Sequence, residues 1–150
     1  MVKYQLKMKY FSFSEFERSV TAALKGYDNE APHEARRNIG LLVDTVLDPL
    51  REALGGPVII TSGYRCADLN RDVGGSPTSQ HLLGLAADFR PLHDEDRERV
   101  VAWFGRDDAP PFDQLIIYPA FFHVGLRPEG STNRRQLKRH NAFGQGYRRD

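Results

Sequence analysis

The stretch Ser79-Gln80-His81-Leu82-Leu83-Gly84-Leu85-Ala86-Ala87-Asp88-Phe89 sets the reading of the whole chain. Its second half, Leu85 to Phe89, is short, small-to-apolar and reads as a strand. Its first half closes a run from residue 63 to 80 rich in Gly, Ser, Asn and Asp, a long connection of the kind that often carries function. A histidine and a carboxylate stand seven residues apart within it, with Gly84 and two alanines between them. Small residues let the backbone turn tightly and approach whatever lies between the two side chains.

Working outward, Pro57-Val58-Ile59-Ile60-Thr61 is β-branched and reads as a buried strand, and a short helix fits residues 66 to 72. On the other side, Asp94 to Phe104 fits a helix with Val100, Val101 and Phe104 inward. Asp113 to Tyr118 and Phe121 to Leu126 fit two strands separated by Pro119-Ala120. Before the first strand the pattern is helical. Residues 4 to 10 suggest a short strand or extended arm, and Ser12 or Ser14 can cap a helix running to about Leu24 and ending at Gly26. A second helix starts near Pro32 and buries Ile39, Leu42, Val43, Val46 and Leu47. Pro49 kinks or divides it before Gly55-Gly56. The expected fold class is α+β, with N-terminal helices packed on a small, mainly antiparallel sheet.

The chain of 150 residues fits one domain, 1–150, with residues 133–150 as a basic C-terminal tail read as solvated surface. A net charge of +1, with 40% hydrophobic and 27% charged residues, is ordinary for a globular protein and gives no field that selects nucleic acid. The single cysteine, Cys66, excludes an internal disulfide. No stretch approaches the roughly 20 apolar residues of a membrane span, and the N-terminus lacks an apolar core of signal-peptide length. The expectation is therefore a monomer made in the cytoplasm without a signal peptide.

His123 lies in the apolar run Phe121-Phe122-His123-Val124. Two imidazoles and a carboxylate, His81, His123 and Asp88, are a common catalytic zinc set that leaves a fourth position for water. The residues by themselves leave alternatives open: a hydrogen-bonded core histidine at 123, a turn-capping Asp88 and a surface His81.

Ser79 to Asp88 resembles the S-x-H-x-x-G-x-A-x-D signature of the zinc D-Ala-D-Ala metallopeptidases, which include D,D-carboxypeptidases, D,D-dipeptidases and phage endolysins. Thr61-Ser62-Gly63-Tyr64-Arg65-Cys66, Leu69-Asn70, Val73-Gly74-Gly75, Phe112-Asp113-Gln114-Leu115-Ile116 and Phe122-His123-Val124 resemble further elements of the compact branch of that family. The early Val46-Leu47-Asp48-Pro49-Leu50-Arg51 does so too. The resemblance spans roughly residues 9 to 140. It implies a hedgehog/D,D-peptidase-like fold and one zinc ion on His81, Asp88 and His123. Arg65 would stand beside the scissile carbonyl, and Ser79 against substrate or a ligand. Gln114 and Asp113 would orient a ligand or meet substrate. The implied substrate is a peptidoglycan stem peptide, cut in a carboxypeptidase or endopeptidase manner, with the cell wall or periplasm as the site of action.

One feature departs from the family. Its members usually carry a Glu or Asp shortly before the last histidine, to take a proton from the attacking water. Here the intervening residues are Ile117-Tyr118-Pro119-Ala120-Phe121-Phe122, without a carboxylate. Asp113 and Tyr118 are the substitutes on offer, but alternation sets them on opposite strand faces. The departure also admits a second expectation, a catalytically weak or inactive zinc-containing module that binds peptidoglycan.

Overall fold

The computed structural model describes residues 5–140. Helices α1 (Phe13–Glu17), α2 (Val20–Lys25), α3 (His33–Leu42) and α4 (Asp48–Leu54) precede strand β1 (Val58–Ser62). Then come α5 (Ala67–Asp72), β2 (Ala86–Pro91), α6 (Arg97–Phe104), β3 (Gln114–Ile117), β4 (Phe122–Gly125) and β5 (Gln136–Arg139). The strands form one sheet in the order β1-β2-β4-β3-β5, antiparallel except for the β3–β5 pair. The α+β architecture expected from the sequence is the one observed. No helix among the described residues is long and apolar enough to cross a membrane.

Alternation gives the sheet two unlike faces. Ala87, Phe89, Phe122, Val124, Leu115 and Ile117 pair across strands on one face and are buried with Ile39, Leu42, Val46, Leu47 and Leu50 of the helical layer. Phe89 stacks on Phe122 at 5.4 Å between ring centroids, and Phe104 of α6 approaches Phe89 from the side. Each large apolar side chain buried in this way contributes about 1.5–3 kcal/mol. The other face carries Ala86, Asp88, His123, Gly125, Gln114 and Ile116, so the core fixes the register that brings the polar residues together.

The structure settles several local expectations. Of the short strand or extended arm expected at residues 4 to 10, the described part is the arm: the Asp44 carboxylate accepts from the Lys7 and Met8 amides at 2.9 and 2.8 Å, and Asp48 accepts from those of Lys9 and Tyr10. The first helix is two helices, because Arg18 is extended (φ −69°, ψ 129°) and the Ser19 hydroxyl caps a new one by accepting from the Ala22 amide. The division expected near Pro49 is present: a π-helical turn over Val43–Leu47 separates α3 from α4, and Pro49 sits in the first turn of α4, where its missing amide is harmless. Finally, the basic tail was expected from residue 133, but Gln136–Arg139 are the parallel edge strand β5. Arg135 starts that strand in the left-handed region (φ 56°), and its guanidinium donates to the Ala109 carbonyl at 2.6 Å. The part of the tail from 141 to 150 lies outside the described residues.

Candidate metal centre

The turn before β2 positions the first histidine. Ser79 is buried, and its hydroxyl accepts from the His81 amide at 3.1 Å, capping a single 3₁₀ turn over Gln80–Leu83. Gly84 ends the turn at φ 75°, and a Cβ there would lie 2.4 Å from the Ala35 carbonyl oxygen. Only glycine satisfies both the left-handed backbone and the close approach of α3. Asp88 then falls opposite His123 in the β2–β4 pair, so both side chains rise from the same face.

His81, Asp88 and His123 are all buried, and each offers a ligand atom within 4.8 Å of the others. His81 Nε2 lies 3.3 Å from Asp88 Oδ1, and His123 Nδ1 lies 2.9 Å from the same oxygen. His81 Nδ1 is 2.7 Å from the Gly63 carbonyl oxygen. A carbonyl only accepts, so Nδ1 carries the proton and Nε2 of the neutral ring presents a lone pair. Burial holds the His81 pKa below its ordinary value despite the pull of Asp88, which keeps the ring neutral. Burial drives the Asp88 carboxyl upward, but its neighbours, among them the hydrogen bond from His123, outweigh it, and the net shift is down.

A neutral imidazole lone pair therefore faces an ionised carboxylate oxygen at 3.3 Å, an arrangement that a shared cation relieves. Tetrahedral zinc with bonds of about 2.0–2.1 Å sets its ligand atoms roughly 3.3 Å apart. His123 Nε2, buried and without a hydrogen-bond partner among the described residues, is a further polar atom that the protein alone does not satisfy. The donor set thus fits a metal ion, and the Gly63 carbonyl supplies the outer contact that fixes a ligand imidazole.

Arg65 is buried beside this group, with Nη2 3.8 Å from Asp88 Oδ2. Its Nη1 donates to Asn70 Oδ1 at 3.2 Å, and Asn70 is itself held by donating to the Ser76 carbonyl at 2.9 Å. The Arg65 amide donates to the His81 carbonyl at 3.1 Å, which ties the loop after β1 to the turn before β2. Asn29 secures the same loop: its amide donates to the Glu17 and Tyr64 carbonyls, and its oxygen accepts from the Cys66 amide. Gly63 and Asn70 stand inside motif segments, so their positions were visible in the sequence although their contacts were not. Asn29 carries no sequence signal.

The remaining candidates are placed differently. Gln114 shares the face of His123 and donates to Gln136 Oε1 at 3.3 Å. Asp113 is committed elsewhere: its oxygens accept from the Arg134 guanidinium at 3.0 and 2.8 Å, and Arg127 Nε lies 3.2 Å away. Those hydrogen bonds from Arg134 outweigh burial and hold its carboxyl below the usual range. Such a carboxylate is a poor proton acceptor and a good structural anchor. Tyr118 is buried, stacked on Phe121 at 4.6 Å and set against the His140 ring at 5.0 Å. Ile116 and Gln114, rather than Leu115 and Ile117, share the face of His123.

A family model described as Peptidase M15 matches residues 9–124, which include every candidate metal ligand and Arg65. No curated protein matches the chain.

Proposed function

Because the chain belongs to the M15 peptidase family, we propose that it is a zinc-dependent peptidase acting on peptidoglycan stem peptides in the bacterial cell wall. The observation that carries the reading is the neutral His81 lone pair facing the Asp88 carboxylate, with His123 closing the group. His81 Nε2, Asp88 Oδ1 and His123 would hold the ion. When bound, zinc polarises a peptide carbonyl and lowers the pKa of a bound water to about 7.

The protein's own groups do the rest. Arg65, fixed by Asn70 and lying beside Asp88, stands where negative charge develops on the carbonyl oxygen. A preorganised guanidinium stabilises such charge without reorienting during the reaction. Ser79 acts through His81, because its hydroxyl is occupied in holding the turn that presents the ring. With Asp113 locked to Arg134, no carboxylate other than Asp88 joins the cluster among the described residues. Proton transfer by a positioned base is worth 10²–10⁴-fold, so turnover is slow relative to family members that have one. The test is cleavage of purified wall fragments: a chelator stops the release of amine groups and added zinc restores it. Full activity in metal-free protein refutes the proposal.

The lack of that carboxylate favours a second reading, a module that keeps the metal and binds wall peptides without cutting them. It predicts saturable binding and no amine release on long incubation. Turnover that disappears in a folded His123→Ala variant excludes it.

A further inference from the structure

The sheet face that holds the metal group continues past it to the edge of the molecule. Asp88 pairs with His123, His123 with Ile116, and Ile116 with Lys138, so these four residues form one row across β2, β4, β3 and β5. Paired residues on neighbouring strands share a face. Contacts on either side of Lys138 show that β5 keeps this alternation. Gln136 accepts from Gln114, and the His140 ring lies against Tyr118. Lys138 is exposed and makes no ion pair among the described residues. Two strand spacings of about 4.8 Å separate its backbone from that of His123, roughly 10 Å in all.

The ground between is shaped for a chain. Ile116, half-buried, forms an apolar floor. The Gln114–Gln136 amide pair borders it on one side, and the Tyr118–Phe121 stack on the other. The nearby acid Asp113 is already neutralised by Arg134 and Arg127, so it does not compete for the lysine. An ammonium on a flexible stem, with three donors and no internal partner, selects a carboxylate.

We infer that Lys138 docks a carboxylate of the substrate, at the edge-strand end of the row that begins at the metal group. The inference rests on the peptidase reading of the metal site and names what the same site selects. The row spans two to three strand spacings of about 4.8 Å and an extended peptide advances about 3.3 Å per residue, so this carboxylate belongs roughly three to four residues from the scissile bond. In a stem peptide ending in D-Ala-D-Ala, the α-carboxylate of the γ-linked glutamyl residue meets that requirement. Amidation of that carboxylate removes the charge that Lys138 recognises.

The test uses the zinc-loaded full chain and two probes, N-acetyl-γ-D-glutamyl-L-lysyl-D-alanyl-D-alanine and its α-amide. Both carry a methyleneamine in place of the scissile amide, so that neither is consumed. Calorimetry gives Kd for each. The acid binds the wild type about three- to fivefold more tightly than the amide, as for a solvent-exposed ion pair, and the gap narrows at about 0.5 M salt. Lys138→Gln brings the ratio to about one, and Lys138→Glu inverts it, with zinc content unchanged in both. Equal binding of the two probes by the wild type, or an acid preference that survives Lys138→Gln, overturns the assignment of Lys138 alone. Binding of neither probe by the zinc-loaded protein overturns both the assignment and the peptidase reading.

Discussion

Replacing Gly84 by alanine tests whether the ligand-bearing turn is held by sterics at one atom. Two costs are separable. A non-glycine residue in the left-handed region costs roughly 1–2 kcal/mol, offset by about 0.4–1 kcal/mol from the less flexible unfolded chain. The second cost is contact: the new Cβ would meet the Ala35 carbonyl oxygen at 2.4 Å, and backbone cannot swing aside as a side chain can. Forced overpacking of this kind costs about 1–3 kcal/mol. Gly26 is the control, because it has nearly the same backbone (φ 74°) with nothing within 4 Å of a built Cβ. Gly26→Ala should therefore lower stability by about 1 kcal/mol, and Gly84→Ala by about 2–4 kcal/mol. Urea unfolding with a common m-value reads the difference. Because relief of the contact must shift the His81 turn, Gly84→Ala should also weaken zinc binding while Gly26→Ala does not. Equal destabilisation of the two variants, or intact zinc affinity in Gly84→Ala, would refute the reasoning.

Other consequences are equally open to measurement. Asp113→Asn should cost about 1–2 kcal/mol of stability while leaving zinc binding intact, since the carboxylate anchors Arg134 at the start of β5 rather than serving the metal. Its folded pKa is depressed, so its contribution is fully present above about pH 4, the unfolded carboxyl value. That contribution is lost as pH falls through the folded value, and acid unfolding of Asp113→Asn should show a correspondingly shallower pH dependence. Arg65→Lys should retain zinc yet lower kcat about 10²-fold, because an ammonium cannot reproduce the fork held by Asn70; steady-state kinetics on a stem peptide decide it. Tyr118→Glu supplies, in the segment before His123, the kind of carboxylate that the family resemblance leads one to expect there, and should raise kcat by 10²-fold or more in folded, zinc-loaded protein. An unchanged rate would show that proton transfer does not limit turnover.

The central part of the molecule was legible because its signals are local and physical. The β-branched run before residue 62, the apolar run around His123 and the small residues between His81 and Asp88 each report a contact made within a few residues or across one strand pair. What stayed hidden depends on partners far along the chain. Gln136-Leu137-Lys138-Arg139 has no hydrophobic pattern of its own and is a strand by its pairing with β3, next to the Arg134–Asp113 contact. The arm at residues 7–10 is ordered by Asp44 and Asp48, more than thirty residues away. The split between α1 and α2 turns on the backbone of Arg18 and the hydroxyl of Ser19, which sequence periodicity does not register. In the candidate site, the ligand trio is read from residue types and spacing and then from motif resemblance, Arg65 from the resemblance alone, whereas the Gly63 carbonyl and the Asn70 brace emerge only from the folded geometry.

Metal analysis of protein refolded with zinc, set beside thermal unfolding of the same samples, bears most directly on the proposed site. Wild-type protein should hold one zinc per chain and unfold at a higher temperature with the metal than without it. His81→Ala, Asp88→Ala and His123→Ala should each lose both the ion and the temperature shift while keeping their far-ultraviolet spectrum. A wild type that neither retains zinc nor gains stability from it, or a His123→Ala variant that binds it undiminished, would contradict the account.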